Sequence, residues 1–98
     1  MRLNTQQIQL IQNYFTDKPV KRAYLFGSYA IGEANEESDV DLLIELDYSQ
    51  KIGLRFISFQ QELSELLAKK VDLVSSNAVS SLIEPFIDKQ KKLVYEKE

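Results

Sequence analysis

The chain has 98 residues, 44% of them hydrophobic, and its 12 basic and 15 acidic side chains give a net charge of −3. This length predicts one domain, residues 1–98, with a single core, and the acidic balance argues against strong nucleic-acid binding, which needs clustered Lys and Arg. Because cysteine and histidine are both absent, disulfides, thiolate or imidazole metal ligands and Ser-His or Cys-His catalysis are excluded, and any metal must bind oxygen ligands, as Mg²⁺ or Mn²⁺ do.

The amino-terminal third predicts two helices separated by a strand. Residues 4–15 predict an amphipathic helix, because Asn4 can cap it and apolar residues recur at helical spacing. Pro19 stops this helix. Residues 21–26 predict a short strand, and residues 28–31 a short helix whose first N–H groups would favour an anion. No long apolar stretch begins the chain, so we expect no signal peptide, no membrane span and a cytoplasmic protein.

The rest of the chain alternates between strands and helices. The predicted elements are a polar loop (32–37), a strand (38–46), a long helix (54–70), a strand (70–75) and one or two helical segments (77–92). Pro85 should interrupt the last region, and residues 93–95 should form either a helix end or an edge strand. The apolar stripe that the long helix should bury is Phe56, Phe59, Leu63, Leu66 and Leu67. This order predicts an α/β or α+β fold with a small mixed sheet packed against helices.

A pair of carboxylates begins the second predicted strand. Asp39 and Asp41 should share one face of that strand, with Cα atoms about 6.5–7 Å apart, because side chains alternate along a strand. Two adjacent carboxylates repel each other unless a cation or a proton lies between them. A shared Mg²⁺ would explain the pair, and a solvated turn before the strand is the alternative.

The segment from residue 25 to residue 44 resembles the signature of the nucleotidyltransferase fold shared with DNA polymerase beta, and most closely that of minimal nucleotidyltransferases. That pattern reads Gly-Ser, two residues later Arg-Gly, then a spacer and Ser-Asp-x-Asp-Leu. The matching positions are Gly27, Ser28, Ala30, Gly32, Ser38, Asp39, Asp41 and Leu42. Ile31 stands where the family usually has arginine.

The resemblance implies nucleotidyl transfer with ATP and two Mg²⁺ ions, in which an acceptor hydroxyl attacks the α-phosphate and pyrophosphate leaves. It implies that Gly27 and Ser28 hold the β- and γ-phosphates and that Asp39 and Asp41 bind both ions. Asp72 lies on the strand after the long helix, where the fold carries its third carboxylate, and would bind the catalytic ion. Taken alone, Ser28 could be a turn or capping serine, and Asp72 a surface aspartate.

The resemblance also implies a partner. Minimal nucleotidyltransferases are often paired with a HEPN-domain toxin, a ribonuclease, and act as antitoxins by attaching AMP to a tyrosine of the toxin. Two other functions stay open: a binding module of the same fold that blocks its partner by occlusion, and an enzyme for a small molecule such as an aminoglycoside, whose cleft would require dimerisation. Ile31 favours the binding module, because it offers no charge to a phosphate, unless Arg22, Arg55 or Lys69 supplies that charge.

Overall fold

Four helices and four strands alternate through residues 1–97, the part of the chain that this computed structural model describes. The helices are α1 (Thr5–Phe15), α2 (Ser28–Ile31), α3 (Arg55–Leu67) and α4 (Glu84–Gln90). The strands are β1 (Val20–Phe26), β2 (Val40–Leu46), β3 (Val71–Ser75) and β4 (Lys92–Glu96). A 3₁₀ turn, Ser76–Ala78, follows β3.

The strands form one mixed sheet in the order β3-β2-β1-β4. Strand β1 runs antiparallel to β2 and β4, while β2 and β3 are parallel and are connected through α3. The expected α/β fold with a small mixed sheet is therefore confirmed. Within residues 1–97, no helix has the length and apolar character needed to cross a bilayer.

Helices α1 and α3 pack against each other and against the sheet, and the main core lies between them and the strands. The largest side chains fully buried in this core are Ile11, Phe15, Leu42, Ile44 and Leu63. Leu43 and Ile87 are buried outside this main cluster. Leu43 alternates with the core residues of β2, so its side chain lies on the opposite face of the sheet.

Polar side chains of the two long helices cover both edges of the sheet. On the β4 edge, the Gln12 amide donates a hydrogen bond to the Val94 carbonyl at 2.9 Å. On the β3 edge, the Val71 N–H donates to the Ser64 hydroxyl at 3.0 Å, and the Leu73 N–H donates to the Gln60 side-chain oxygen at 2.9 Å. These bonds satisfy backbone groups that an open edge would present to other chains.

The first half of the chain follows the sequence-based prediction closely. Asn4 caps α1 through a reciprocal capping box with Gln7, and β1 and α2 form where the sequence predicts them. Strand β2 begins at Val40 and not at residue 38. The reason is local: the Asn35 N–H donates to the Ser38 hydroxyl at 2.9 Å, which keeps this stretch in a turn. Asp39 therefore lies just before the strand, which corrects the expectation that it belongs to it.

The long helix is shorter than predicted, and its buried stripe is narrower. Helix α3 ends at Leu67 because Ala68 adopts the left-handed conformation, with φ of 53°, which reverses the chain before β3 begins. Leu66, predicted to be buried, is 45% exposed. Phe56 is only partly buried, whereas the other members of the predicted stripe, Phe59, Leu63 and Leu67, lie in the core.

The carboxyl-terminal elements correct one prediction and decide between two others. Pro85 lies in the first turn of α4 and so begins this helix instead of interrupting it. Proline is compatible with that position because the first helical N–H groups have no partner within the helix. Residues 93–95 belong to β4, the edge strand, which was one of the two structures considered for them.

Candidate active site

Two carboxylates lie side by side at one end of the sheet. Asp41 on β2 and Asp72 on β3 are paired in register on parallel neighbouring strands, which are about 4.8 Å apart. Both side chains are half-buried, and each lies between two buried neighbours on its strand. Because side chains alternate along a strand, the apolar neighbours enter the core and both carboxylates lie on the opposite face of the sheet.

Asp39 approaches this pair from the turn before β2. Its carboxylate lies 3.7 Å from the ammonium group of Lys70, and the Lys70 side chain is 72% exposed. An exposed ion pair at this distance is weak, at about 0–1 kcal/mol. This ion pair therefore constrains the Asp39 side chain only weakly, and its carboxylate can rotate to bind another cation.

Burial and neighbouring charge both act on the pKa of Asp41. Burial is the main cause of a raised pKa for Asp41, and the negative charges of Asp72 and Asp39 raise that pKa further. Burial and neighbouring negative charge thus both oppose ionisation of Asp41. A bound cation would relieve the repulsion and favour the charged form of Asp41.

Gly27 forms the floor beneath Asp41. Its backbone has φ of 73°, a left-handed conformation that favours glycine. A Cβ atom at this position would lie only 2.3 Å from the Asp41 Oδ2 atom. A larger residue here would therefore strain the backbone and force the Asp41 carboxylate to move.

Ser28 begins α2 directly after Gly27, and its side chain is half-buried. The Gly27 carbonyl accepts the first hydrogen bonds of this helical turn, from Ala30 at 3.0 Å and from Ile31 at 3.3 Å. The structure thus brings Gly27 and Ser28 to the same end of the sheet as Asp41 and its partner carboxylates.

Side chains of helix α3 hold the segment of β3 that carries Asp72. The two hydrogen bonds that α3 accepts from the edge of β3 involve the N–H groups of Val71 and Leu73, the residues on either side of Asp72. The acceptors, Ser64 and Gln60, are one helical turn apart. This support could not be found from the sequence, because nothing in the helical pattern distinguishes Gln60 from the exposed Gln61.

The donors at this end of the sheet fit a hard divalent cation. They are carboxylate oxygens, the ligands that Mg²⁺ prefers. Within residues 1–97 no three acidic side chains lie close enough together to hold a metal ion by themselves. Mg²⁺ does not need one, because it is usually held by one or two carboxylates together with substrate phosphates and water.

Three cations could replace the arginine missing at position 31: Arg22, Arg55 and Lys69. Arg22 already forms salt bridges with Glu45 at 2.9 Å and with Glu96 at 2.6 Å. Arg55 lies over the Phe59 ring at 5.6 Å. Ile31 itself is 45% exposed.

Lys69, the third of these cations, lies over the Tyr29 ring at 5.7 Å. Sequence reasoning missed two cations that do lie near the motif: Lys70 beside Asp39, and Arg2, whose guanidinium packs on Gly32. The position of Lys70 two residues before Asp72 was the only available signal for the first, and the sequence held no signal for the second.

The family described as polymerase beta, nucleotidyltransferase, matches residues 9–98 of this chain. MJ0128, a candidate protein adenylyltransferase of Methanocaldococcus jannaschii, is 41% identical over 78 residues, which are 78% of this chain and 76% of that protein. Protein adenylyltransferase MntA of Thermococcus cleftensis is 40% identical over 62 residues, 63% of this chain and 62% of its own length.

A solved structure shares the whole fold. It contains a tri-AMPylated HEPN toxin of Shewanella oneidensis in complex with an MNT antitoxin, and it matches with a TM-score of 0.73 and 20% sequence identity. The match covers 97% of this chain and 74% of the other. At this identity the comparison establishes a common fold, and the sequence matches above carry the relationship.

Proposed function

This chain belongs to the polymerase beta nucleotidyltransferase family, and we propose that it transfers AMP from ATP to a hydroxyl group of a partner protein. The observation that carries the proposal is the register pairing of Asp41 with Asp72, with Gly27 packed beneath the Asp41 carboxylate. The relatives named as protein adenylyltransferases support AMP as the transferred group. Residues 1–98 would then act as one catalytic domain.

In this proposal the carboxylates of Asp39, Asp41 and Asp72 would hold two Mg²⁺ ions together with the triphosphate. When bound, Mg²⁺ neutralises phosphate charge and stabilises the attacking and leaving oxygens. The backbone at Gly27 and the Ser28 hydroxyl hold the β- and γ-phosphates.

Asp72, the carboxylate of this pair that β3 contributes, orients the acceptor hydroxyl and accepts its proton. The new bond joins that hydroxyl oxygen to the α-phosphorus of ATP. The bond that breaks joins the α-phosphorus to the oxygen that bridges to the β-phosphate, and pyrophosphate leaves.

The acceptor in this proposal is a tyrosine of a HEPN toxin, and the chain acts as its antitoxin in the cytoplasm. Two observations support this choice. A relative of 40% identity is the protein adenylyltransferase MntA, and a structure of the same fold contains an AMPylated HEPN toxin with its MNT antitoxin. The net charge of −3 also favours a protein acceptor over a polynucleotide.

A second candidate function is an antitoxin that binds the toxin and blocks it without chemistry. The observation that favours it is Ile31, which places an exposed apolar side chain at the end of α2 where the family pattern has a cation. If a charge-assisted contact of about 1.5–3 kcal/mol is missing there, transfer would be about 10- to 150-fold slower. Such an enzyme would still turn over, so transfer remains the first proposal.

The test is to incubate the purified protein with the toxin encoded beside its gene, with ATP and Mg²⁺, and to measure the intact mass of the toxin. Transfer predicts a toxin whose mass rises by one or more AMP groups and whose ribonuclease activity falls in step. Occlusion predicts an inhibited toxin of unchanged mass. In that case Asp41→Asn and Asp72→Asn would inhibit as well as the wild-type protein.

A further inference from the structure

A second polar feature lies on the other side of the Gly27 turn. A cavity of about 330 Å³ opens between α1, α2 and strands β1 and β4. Leu25, Tyr29 and Val94 contribute apolar surface to it, and Arg2 and Lys92 contribute its charges. No acidic side chain of residues 1–97 lines this cavity.

Neither cation of the cavity is paired with an acidic side chain of residues 1–97. The ion pairs found among residues 1–97 involve Lys18, Arg22, Lys70 and Lys91, and neither Arg2 nor Lys92 takes part in them. The chain carries more acidic than basic groups, so acidic partners are not scarce. Two positive charges without an acidic partner among residues 1–97 therefore line one cavity, and an anion is the group that would neutralise them.

Arg2 is held in this position by the amino terminus. The terminal ammonium donates to the Ala34 carbonyl at 3.0 Å, and the Tyr29 hydroxyl donates to the Met1 sulfur at 3.7 Å. The Arg2 guanidinium then packs on Gly32, where an added Cβ would lie 3.1 Å from its Nη2 atom. The guanidinium is thus docked at the carboxyl end of α2 and is not a free tail.

The cavity adjoins the turn that leads to the carboxylates. Helix α2 separates Arg2 from Gly27, and its four residues span about 6 Å. Tyr29, the second residue of α2, forms part of the cavity wall. An anion bound here would therefore lie within about the length of a triphosphate of the Gly27 turn, on the opposite side from Asp41.

We propose that Arg2 and Lys92 form an anion site that binds a phosphate group without a divalent metal. The Arg2 guanidinium supplies paired hydrogen-bond donors, and the Lys92 ammonium supplies a compact positive charge. Hydrogen bonds from both groups to a phosphate are stronger beside apolar side chains, where the dielectric constant is lower. The phosphate would come either from the triphosphate tail of the nucleotide, including the pyrophosphate product, or from a free anion. Because Arg2 and Lys92 alone supply the charges of this site, its existence does not depend on AMP transfer.

The experiment is a calorimetric titration of the full chain with pyrophosphate at low salt in the presence of EDTA, which silences the carboxylate site. We expect the wild type to bind, and Arg2→Gln and Lys92→Gln each to weaken binding on the order of tenfold. Arg55→Gln removes an equal charge from α3 and should leave binding unchanged. Melting temperatures of the four proteins check that each variant is folded, which is expected because Arg2, Lys92 and Arg55 are all exposed.

Amide chemical shifts locate the site independently. Pyrophosphate in EDTA should perturb the amides of Tyr29 and Val94 in the wild type and not in the Arg2→Gln protein. Competition between pyrophosphate and Mg²⁺-ATP would identify the nucleotide tail or the product as the source of the phosphate. Simultaneous binding would identify a free anion as the source. Either result supports the anion site. The proposal fails if the wild type binds no pyrophosphate in EDTA, or if Arg2→Gln and Lys92→Gln bind it as the wild type does.

If AMP transfer is never observed while pyrophosphate still binds in EDTA, the proposed function fails and the anion site stands. The reverse result, transfer without pyrophosphate binding in EDTA, removes the anion site alone.

Discussion

Asp41 and Asp72 face each other across the parallel pair β2–β3 at the same register, and the raised pKa of Asp41 reflects its burial and then this neighbouring charge. The arrangement is costly in an empty site, because the two carboxylates repel and one is partly desolvated. Such a cost is typical of sites where a cation completes the structure.

The approach of Gly27 to Asp41 can be tested with Gly27→Ala. The new methyl group would lie 2.3 Å from the Asp41 carboxylate in a backbone with φ of 73°, so Asp41 must move. We expect Mg²⁺-dependent ATP binding to be lost, together with a fall in the free energy of unfolding. Calorimetry and thermal unfolding measure the two effects.

Gly53→Ala is the matched control. Gly53 also has a positive φ, of 50°, but an added Cβ would meet nothing within 4 Å. This variant should lose about 1–2 kcal/mol of stability from backbone strain and keep its nucleotide binding. If Gly27→Ala binds Mg²⁺-ATP as well as Gly53→Ala does, the close approach has no functional role.

Asp41→Asn should be more stable than the wild type at neutral pH and inactive. The pKa of Asp41 is raised in the folded state, so folding is favoured while this carboxyl is protonated, and stability is lost as the pH rises through the raised pKa. The asparagine removes that loss. AMP transfer should fall by at least about 100-fold, since several kcal/mol of charge stabilisation are removed.

The stability effect of Asp41→Asn has a defined pH dependence. Its melting temperature should exceed that of the wild type at pH 7 without added metal. The difference should shrink as the pH falls toward about 4, where an ordinary aspartate becomes protonated. A lower melting temperature than the wild type at pH 7 would show that Asp41 is not under electrostatic strain.

Gln60→Ala tests whether α3 positions Asp72 through β3. It leaves the Leu73 N–H without its partner at 2.9 Å, at a cost of about 1–3 kcal/mol. For a domain of this size we expect a fall in melting temperature of at least about 4 °C, with weaker Mg²⁺-ATP binding. Gln61→Ala, which changes an exposed neighbour on the same helix, should leave both unchanged. Equal effects of the two substitutions would rule out the edge contact as a support for Asp72.

Ile31→Arg tests the one departure from the family pattern. Ile31 is 45% exposed at the end of α2, so an arginine can be accommodated there without displacing the core. If the position faces the phosphates, the rate of AMP transfer should rise by about tenfold or more. An unchanged or lower rate would show that this position makes no phosphate contact in this chain.

The sequence was sufficient to predict the fold because its local signals are strong. The capping box of Asn4, the apolar runs of the strands and the Gly27 turn each act over a few residues, and the structure has an element at each predicted place. The errors lie at boundaries that distant contacts decide. Ala68 takes a left-handed conformation to end α3, a position that nothing in its own propensity predicts.

The candidate site also has a part that the sequence predicted and a part that it did not. Side-chain alternation predicted that Asp39 and Asp41 would share a face of one strand, and the resemblance to the family implied that Asp72 would join them. The structure pairs Asp41 with Asp72 in register but leaves Asp39 in the turn before β2. The contacts of Gln60 and Arg2 depend on how whole elements pack against each other. Spacing along the chain carries no information on such contacts, which is why both were missed.

Mg²⁺-dependent nucleotide binding at the Asp41–Asp72 pair is the claim on which the proposed AMP transfer depends. The most direct measurement is a calorimetric titration of the wild type and Asp41→Asn with a non-hydrolysable ATP analogue, with Mg²⁺ and with EDTA. We expect the wild type to bind the analogue more tightly with Mg²⁺ than with EDTA, and Asp41→Asn to show no such difference. Equal affinity of the wild type in Mg²⁺ and in EDTA would contradict the metal site and the transfer chemistry built on it.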